Sequence, residues 1–154
     1  MNDINLPETT ERRTPRRHVG LALLSARNEV LLIRRAQQVR YNLPAATIDR
    51  DADDDALTSA VTGLCTTLLA EGAPKPDSAW LGRFAAPDEN GRLDMLEVYL
   101  ARLGEARLRP DVDFERAWAP LLSPPPENMI DPAIELQVMP ALALLIKPET
   151  QAAR

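Results

Sequence analysis

The segment from Val19 to Ile33 constrains the fold most. Val19-Gly20-Leu21-Ala22-Leu23-Leu24-Ser25 and Val30-Leu31-Leu32-Ile33 are short, buried-looking apolar runs, with Arg27-Asn28 where a turn belongs. Runs of this length predict two strands, and the short polar connection makes them a hairpin. Arg34 and Arg35 end the second strand in charge. Pro44 then biases Leu43 toward an extended backbone, so no helix follows directly.

A helix comes next, introduced by acid. Asp49, Asp51, Asp53, Asp54 and Asp55 place five acids in seven residues just before Ala56. Leu57, Val61, Leu64 and Leu68 recur at i, i+4, i+7 and i+11, which is one face of an α-helix. Asp51 or Asp53 suits the N-cap, and the other acids suit the positive helix end. Four threonines and Gly63 lower the helix propensity, so tertiary packing must hold the element. Gly72-Ala73-Pro74 stops it. Cys65, inside the helix and without a basic neighbour, reads as a small buried thiol.

Ala79–Ala85 and Met95–Arg102 are strand-like, with an Asn90-Gly91 turn signal between them. Apolar residues at both parities of the second run predict that both its faces are covered. Ala117-Trp118-Ala119 is a further short strand, and Pro124-Pro125-Pro126 a rigid connector. Asp131-Pro132 opens a final helix by the cap-then-proline signature, and Pro140 should kink or divide it. Val138–Ile146 is apolar all round, which suits burial against a sheet or self-association.

Composition narrows the class. One cysteine and one histidine exclude an internal disulfide and leave no basis for a structural zinc site. No run reaches the roughly 18 apolar residues of a spanning helix, and Met1-Asn2-Asp3 does not open a signal peptide, so the expectation is a cytoplasmic protein with no membrane partner. A net charge of -5 argues against nucleic acid as a partner. Residues 1–17, with Arg12, Arg13, Arg16 and Arg17, suit a flexible solvated leader or an anion-binding arm. A domain over 18–147 and a tail over 148–154 follow.

The order of these elements, with Leu43-Pro44-Ala45-Ala46 after the hairpin and Trp118-Ala119-Pro120 near the end, resembles a Nudix domain. Glu29-Val30-Leu31-Leu32-Ile33-Arg34-Arg35 is similar to the strand before that family's signature box. The resemblance implies an α/β (α+β) sandwich, a mixed sheet packed between helices. It also implies where the family's chemistry would sit. Ala45 and Ala46 take the place of its two glycines, Ser59 that of its arginine, Ala60 that of its first glutamate, and Gly63 and Leu64 that of its adjacent glutamate pair. Glutamates at those spacings share one helix face and hold Mg²⁺ against a pyrophosphate. Here no residue from Ala56 to Ala70 is charged. The box is degenerate, and the expectation is a pseudoenzyme with the hydrolase fold.

Replacement ligands remain to be weighed. Asp51, Asp53, Asp54 and Asp55 could gather Mg²⁺ or Mn²⁺, or they could simply be a solvated loop. Glu97, by the resemblance, lies on a strand that can border the substrate cleft, which makes it a ligand-binding candidate and, with Asp51, an alternative catalytic residue; the plainer reading is an outward-facing strand residue. By the resemblance, Arg34 and Arg35 lie near a phosphate position and Tyr41 near a base position, with Tyr99 and Trp80 as further stacking candidates; Glu89 in the preceding turn reads as solvated. His18 has no partner that spacing identifies. Two functions stay open beside a purely structural or partner-binding protein whose cleft is filled. One is a non-catalytic module, without a cofactor, that binds a nucleotide-like small molecule or a protein partner, in a homodimer by analogy. The other is a divergent Mg²⁺- or Mn²⁺-dependent hydrolase of nucleoside-diphosphate-linked compounds.

Overall fold

A computed structural model of the chain describes residues 15–87, 91–122, 124 and 129–152. Most of the leader, with Arg12 and Arg13, and Glu89, Asn90, Pro125, Pro126 and residues 153–154 lie outside the described residues.

Alternation along the first strand organises everything else. In β1 (Arg17–Leu24), Val19, Leu21 and Leu23 enter one core, while Ala22 and Leu24 enter another on the opposite face. β2 (Glu29–Arg34) divides in the same way, with Leu31 and Ile33 against Val30 and Leu32. A strand covered on both faces cannot show polar alternation, which is why both runs are continuously apolar. Asn28 turns the chain between them at φ 60°, a left-handed position that asparagine tolerates.

Strand β3 (Ala45–Ile48) pairs antiparallel with the first half of β1, from Arg17↔Ile48 to Gly20↔Ala45. Sequence reasoning left this element unassigned, because four residues after a proline carry too little periodicity. Helix α1 (Asp54–Leu68) follows, then β4 (Ser78–Pro87), β5 (Leu93–Arg102) and β6 (Glu115–Pro120). The sheet order is β4-β5-β1-β2-β6, with β3 paired to β1 off that path. β1 and β5 run parallel and the other pairs are antiparallel, so the sheet is mixed.

Each face of the sheet carries a helix. Leu57, Val61, Cys65 and Leu68 of α1 pack with Val19, Leu21, Leu23, Leu31 and Ala101. Of the two acids offered for its cap, Asp53 takes the role: Oδ1 accepts the Ala56 N–H at 2.9 Å. Three of the four threonines, Thr58, Thr66 and Thr67, donate their hydroxyls to the carbonyls of Asp54, Thr62 and Gly63 one turn earlier. Those exposed hydroxyls are therefore internally satisfied.

The opposite core is closed by a π-helical turn, Ile134–Val138, that leads into α2 (Met139–Ala152). Ile134, Val138, Met139 and Leu142 pack there against Leu24, Val30, Leu32 and Val98. Asp131 opens the segment as its sequence suggests, its carboxylate accepting the Ala133 N–H at 2.9 Å. The widened turn accommodates Pro140 in place of a division. Pro140 has no N–H for the Leu136 carbonyl, and the preceding Met139 N–H reaches back five residues to Ile134 O. Leu136, Leu144 and Leu145 face outward, so this segment is buried on one side only.

Candidate functional site

Between Met95 and Ala101, β5 carries a single charged residue, Glu97. Leu96 and Val98 on either side point into the α2-side core, so the strand's alternation turns Glu97 to the α1 side. It is 1% exposed. A buried carboxylate demands partners, and three side chains supply them. Trp80 Nε1 donates to Oε1 at 2.9 Å, while Arg83 Nε and Arg17 Nη2 donate to Oε2 at 2.8 and 3.2 Å.

A bulge makes this possible. Residues three apart on a regular strand face opposite sides, yet Trp80 pairs with Tyr99 and Arg83 with Glu97. The register shifts between Trp80 and Gly82, and the extra residue returns both side chains to the α1 face. Arg17 extends the cluster. Its Nη1 donates to the carbonyls of Arg50 and Ala52 at 3.1 and 2.7 Å, so one guanidinium ties the buried carboxylate to the acidic loop ahead of α1.

The electrostatics follow from these contacts. Burial pushes the Glu97 carboxyl up, but hydrogen bonds from Trp80 and Arg83, the Arg83 charge and the Arg17 bond outweigh it and hold the group below the usual carboxylate range. Burial also pushes the Tyr99 phenol up, and the charges of Asp54 and Glu97 add to that against the pull of Arg17. Tyr99 thus sits between the start of α1 and the Glu97 cluster.

Beside the cluster, Thr47, Ile48, Asp49, Asp51, Ala52, Asp53 and Ala56 line an open cavity of about 460 Å³. Three acids of the loop, Asp49, Asp51 and Asp53, are among its lining residues. Among the described residues, no group of three or more His, Cys, Asp or Glu is placed to hold a metal ion. Asp53 is engaged as the helix cap.

The other residues marked by the sequence lie elsewhere. Arg34 pairs with Glu115 of β6 and sits over the Tyr41 ring, 5.0 Å from its centroid. Arg35 sits over Phe114 at 5.4 Å. Tyr41 packs on the α2-side core, so the Arg34–Tyr41 pair and Glu97 occupy opposite faces of the sheet, while Phe114 packs on the α1-side core. Cys65 is a buried free thiol whose pKa burial pushes up, against a smaller pull from Lys75.

Against known proteins, no family model matches the sequence, and no curated protein sequence matches it either. Solved structures do match. The NUDIX domain of NrtR from Shewanella oneidensis, solved with ADP ribose, is similar at a TM-score of 0.59 and 18% identity, over 94% of this chain and 99% of that one. The chain has the Nudix fold. A MutT NUDIX hydrolase from Burkholderia pseudomallei matches at a TM-score of 0.54 and 24% identity, over 84% of this chain and 96% of that one. A bifunctional NMN adenylyltransferase/ADP ribose pyrophosphatase from Francisella tularensis matches at 0.56 and 13%, over 88% of this chain but 44% of its own length. Identities this low carry the fold and leave the chemistry to be argued from side chains.

The positions that the sequence resemblance assigns to the family's box carry no carboxylate for a divalent cation. Ala45 is exposed on β3 and Ala46 half-buried beside it. On α1, Ser59 and Gly63 face solvent, while Ala60 and Leu64 are half-buried against the core. A Cβ built on Gly63 would meet nothing within 4 Å, so the helix surface there is open.

Arg17 and Arg83 are the site residues that sequence reasoning missed, Arg17 because it was assigned to the leader. His18 likewise gains partners from distant strands. Its Nε2 lies 3.1 Å from Asp94 Oδ2 and its Nδ1 3.2 Å from Thr47 Oγ1. No local signal marks these contacts, since they arise from strand pairing across tens of residues. No helix among the described residues is long and apolar enough to cross a membrane.

Proposed function

We propose that this chain is a non-catalytic Nudix-fold module that binds a nucleotide-like small molecule. One observation carries the reading: the face of α1 that would present metal-binding glutamates presents Ser59, Ala60, Gly63 and Leu64 instead. Mg²⁺ requires oxygen ligands in near-octahedral array, and of these four residues only Ser59 carries a side-chain oxygen, a neutral hydroxyl, with no carboxylate among them. Glu97, the one buried glutamate on that side of the sheet among the described residues, already accepts from three side chains. Those bonds favour its ionised form and lower its basicity.

The open cavity at the start of α1 leaves room for a ligand beside the Glu97 cluster. The Shewanella NrtR domain holds ADP ribose on this fold. ADP ribose is accordingly the first ligand to test, by titration calorimetry in EDTA. A cytoplasmic protein and a homodimer through Leu136, Leu144 and Leu145 belong to the same reading. Sedimentation velocity of the wild type and of Leu144→Lys tests the dimer: the variant should be monomeric at concentrations where the wild type is not.

The test of non-catalysis is phosphate or nucleoside monophosphate release from nucleotide sugars, dinucleotide polyphosphates and nucleoside triphosphates with Mg²⁺ or Mn²⁺. No turnover is expected. Turnover on the order of 1 per second that is lost in Asp51→Asn or in the combined Asp53, Asp54 and Asp55→Asn variant would replace this reading with a hydrolase whose metal sits in the acidic loop. Asparagine keeps the helix cap in that variant.

A further inference from the structure

We infer that Trp80 and Arg83 form a metal-independent subsite for a planar heteroaromatic ring that carries a phosphate; the inference rests on the ligand-binding reading above and places the ligand. The two side chains come to one face only through the bulge in β4. Both are held from beneath by the same carboxylate and both remain open to solvent. Trp80 is 56% exposed and the Arg83 side chain 55%. β4 lies at the edge of the sheet and α1 packs mainly on β1 and β3, so this end of the face is left uncovered.

A tryptophan with over half its surface in water is unusual unless its ring has another use. Here the indole is also fixed, because its N–H is committed to Glu97 at 2.9 Å. A ring already held in place loses little freedom when a second ring stacks on it. Charge selects the rest of the ligand. Of the cluster's own charges, Glu97 is buried and the Arg17 side chain only 17% exposed, so the group presented to solvent is the Arg83 guanidinium. The partners of Trp80 and Arg83 on β5, Tyr99 and Glu97, are two residues apart, which sets the stacking face and the cation roughly 7 Å from each other. That is the scale of a nucleobase and its 5′-phosphate. The arginine supplies the positive charge, so no divalent ion is required.

AMP, adenosine and ribose 5-phosphate are the probes, titrated by calorimetry in EDTA, with the Trp80 indole N–H followed by ¹⁵N NMR and assigned from its loss in Trp80→Phe. AMP should shift that resonance. Its affinity should fall about 10-fold or more in Trp80→Ala and be largely retained in Trp80→Phe, since both rings stack. Arg83→Met should weaken AMP and ribose 5-phosphate and leave adenosine unchanged, with Arg83→Lys restoring part of the loss. AMP binding that neither variant alters, with the indole resonance unmoved, would overturn the inference while leaving a ligand-binding module intact. ADP ribose binding without any binding of the three probes would do the same. Failure of all four compounds to bind would overturn both readings.

Discussion

Arg17 and Glu97, 80 residues apart in the chain, meet at 3.2 Å across the parallel pair β1 and β5, and Arg17 also carries the carbonyls of Arg50 and Ala52. The first residue of the sheet thereby fixes both the buried carboxylate and the loop that enters α1.

Removing that carboxylate's charge should be expensive. Glu97→Gln leaves Arg17 and Arg83 facing a neutral amide whose NH₂ group has a donor beside it. A loss of about 2 kcal/mol is expected, within the range for hydrogen bonds to charged groups and lowered by the exposure of Arg83. Urea unfolding of the wild type and the variant measures it. A loss below about 0.5 kcal/mol would show that the cluster is not a structural anchor.

The same group sets a pH dependence. Its folded pKa lies below the unfolded value of about 4.3, so the stability it contributes is present above that value and lost as pH falls through the folded pKa. The stability difference between wild type and Glu97→Gln should be constant from pH 7 to about 5 and shrink below about 4. Urea midpoints at pH 7, 5, 4 and 3 test this, and a difference that grew on acidification would contradict it.

Asp53 caps α1 by accepting the Ala56 N–H. Asp53→Ala should cost about 1 kcal/mol, and Asp53→Asn only a few tenths, since asparagine caps nearly as well. Thermal unfolding of the two variants distinguishes the cap from an effect of charge alone, which would make them equal.

Asp94 is 7% exposed and accepts from the Arg16 N–H as well as facing His18. An ionised carboxylate only accepts, so neutral His18 carries its proton on Nε2 and its Nδ1 accepts from the Thr47 hydroxyl. The ¹⁵N shifts of His18 in alkaline buffer should report the Nε2–H tautomer. In Asp94→Ala the two nitrogens should move toward averaged values; unchanged shifts would mean that Asp94 does not select the tautomer.

How far the sequence reaches differs from element to element. The runs at Val19 and Val30 were legible as strands because each packs on both sides, and α1 was legible because Leu57, Val61 and Leu68 repeat at the helical period. β3 was not, since Ala45–Ile48 depends on β1 for its pairing and has no period of its own. The bulge at Leu81 was equally hidden: alternation places Trp80 and Arg83 on opposite faces, and only the register against β5 reverses that. The effect of Pro140 was half legible. Its missing N–H is a local fact, but whether the helix breaks or widens depends on what Ile134, Val138 and Leu142 must reach in the core.

The absence of charge from Ala56 to Ala70 is a property of the sequence alone. No arrangement of neighbours gives those side chains carboxylate oxygens, so the lack of carboxylate ligands from Ala56 to Ala70 was determined before folding. The placement of Glu97 was decided only by tertiary structure. An isolated glutamate in an apolar strand is equally a solvated edge residue or a buried anion. Its surroundings here come from β1 and β4, whose residues reach it through a parallel pairing and a bulge that no local period encodes.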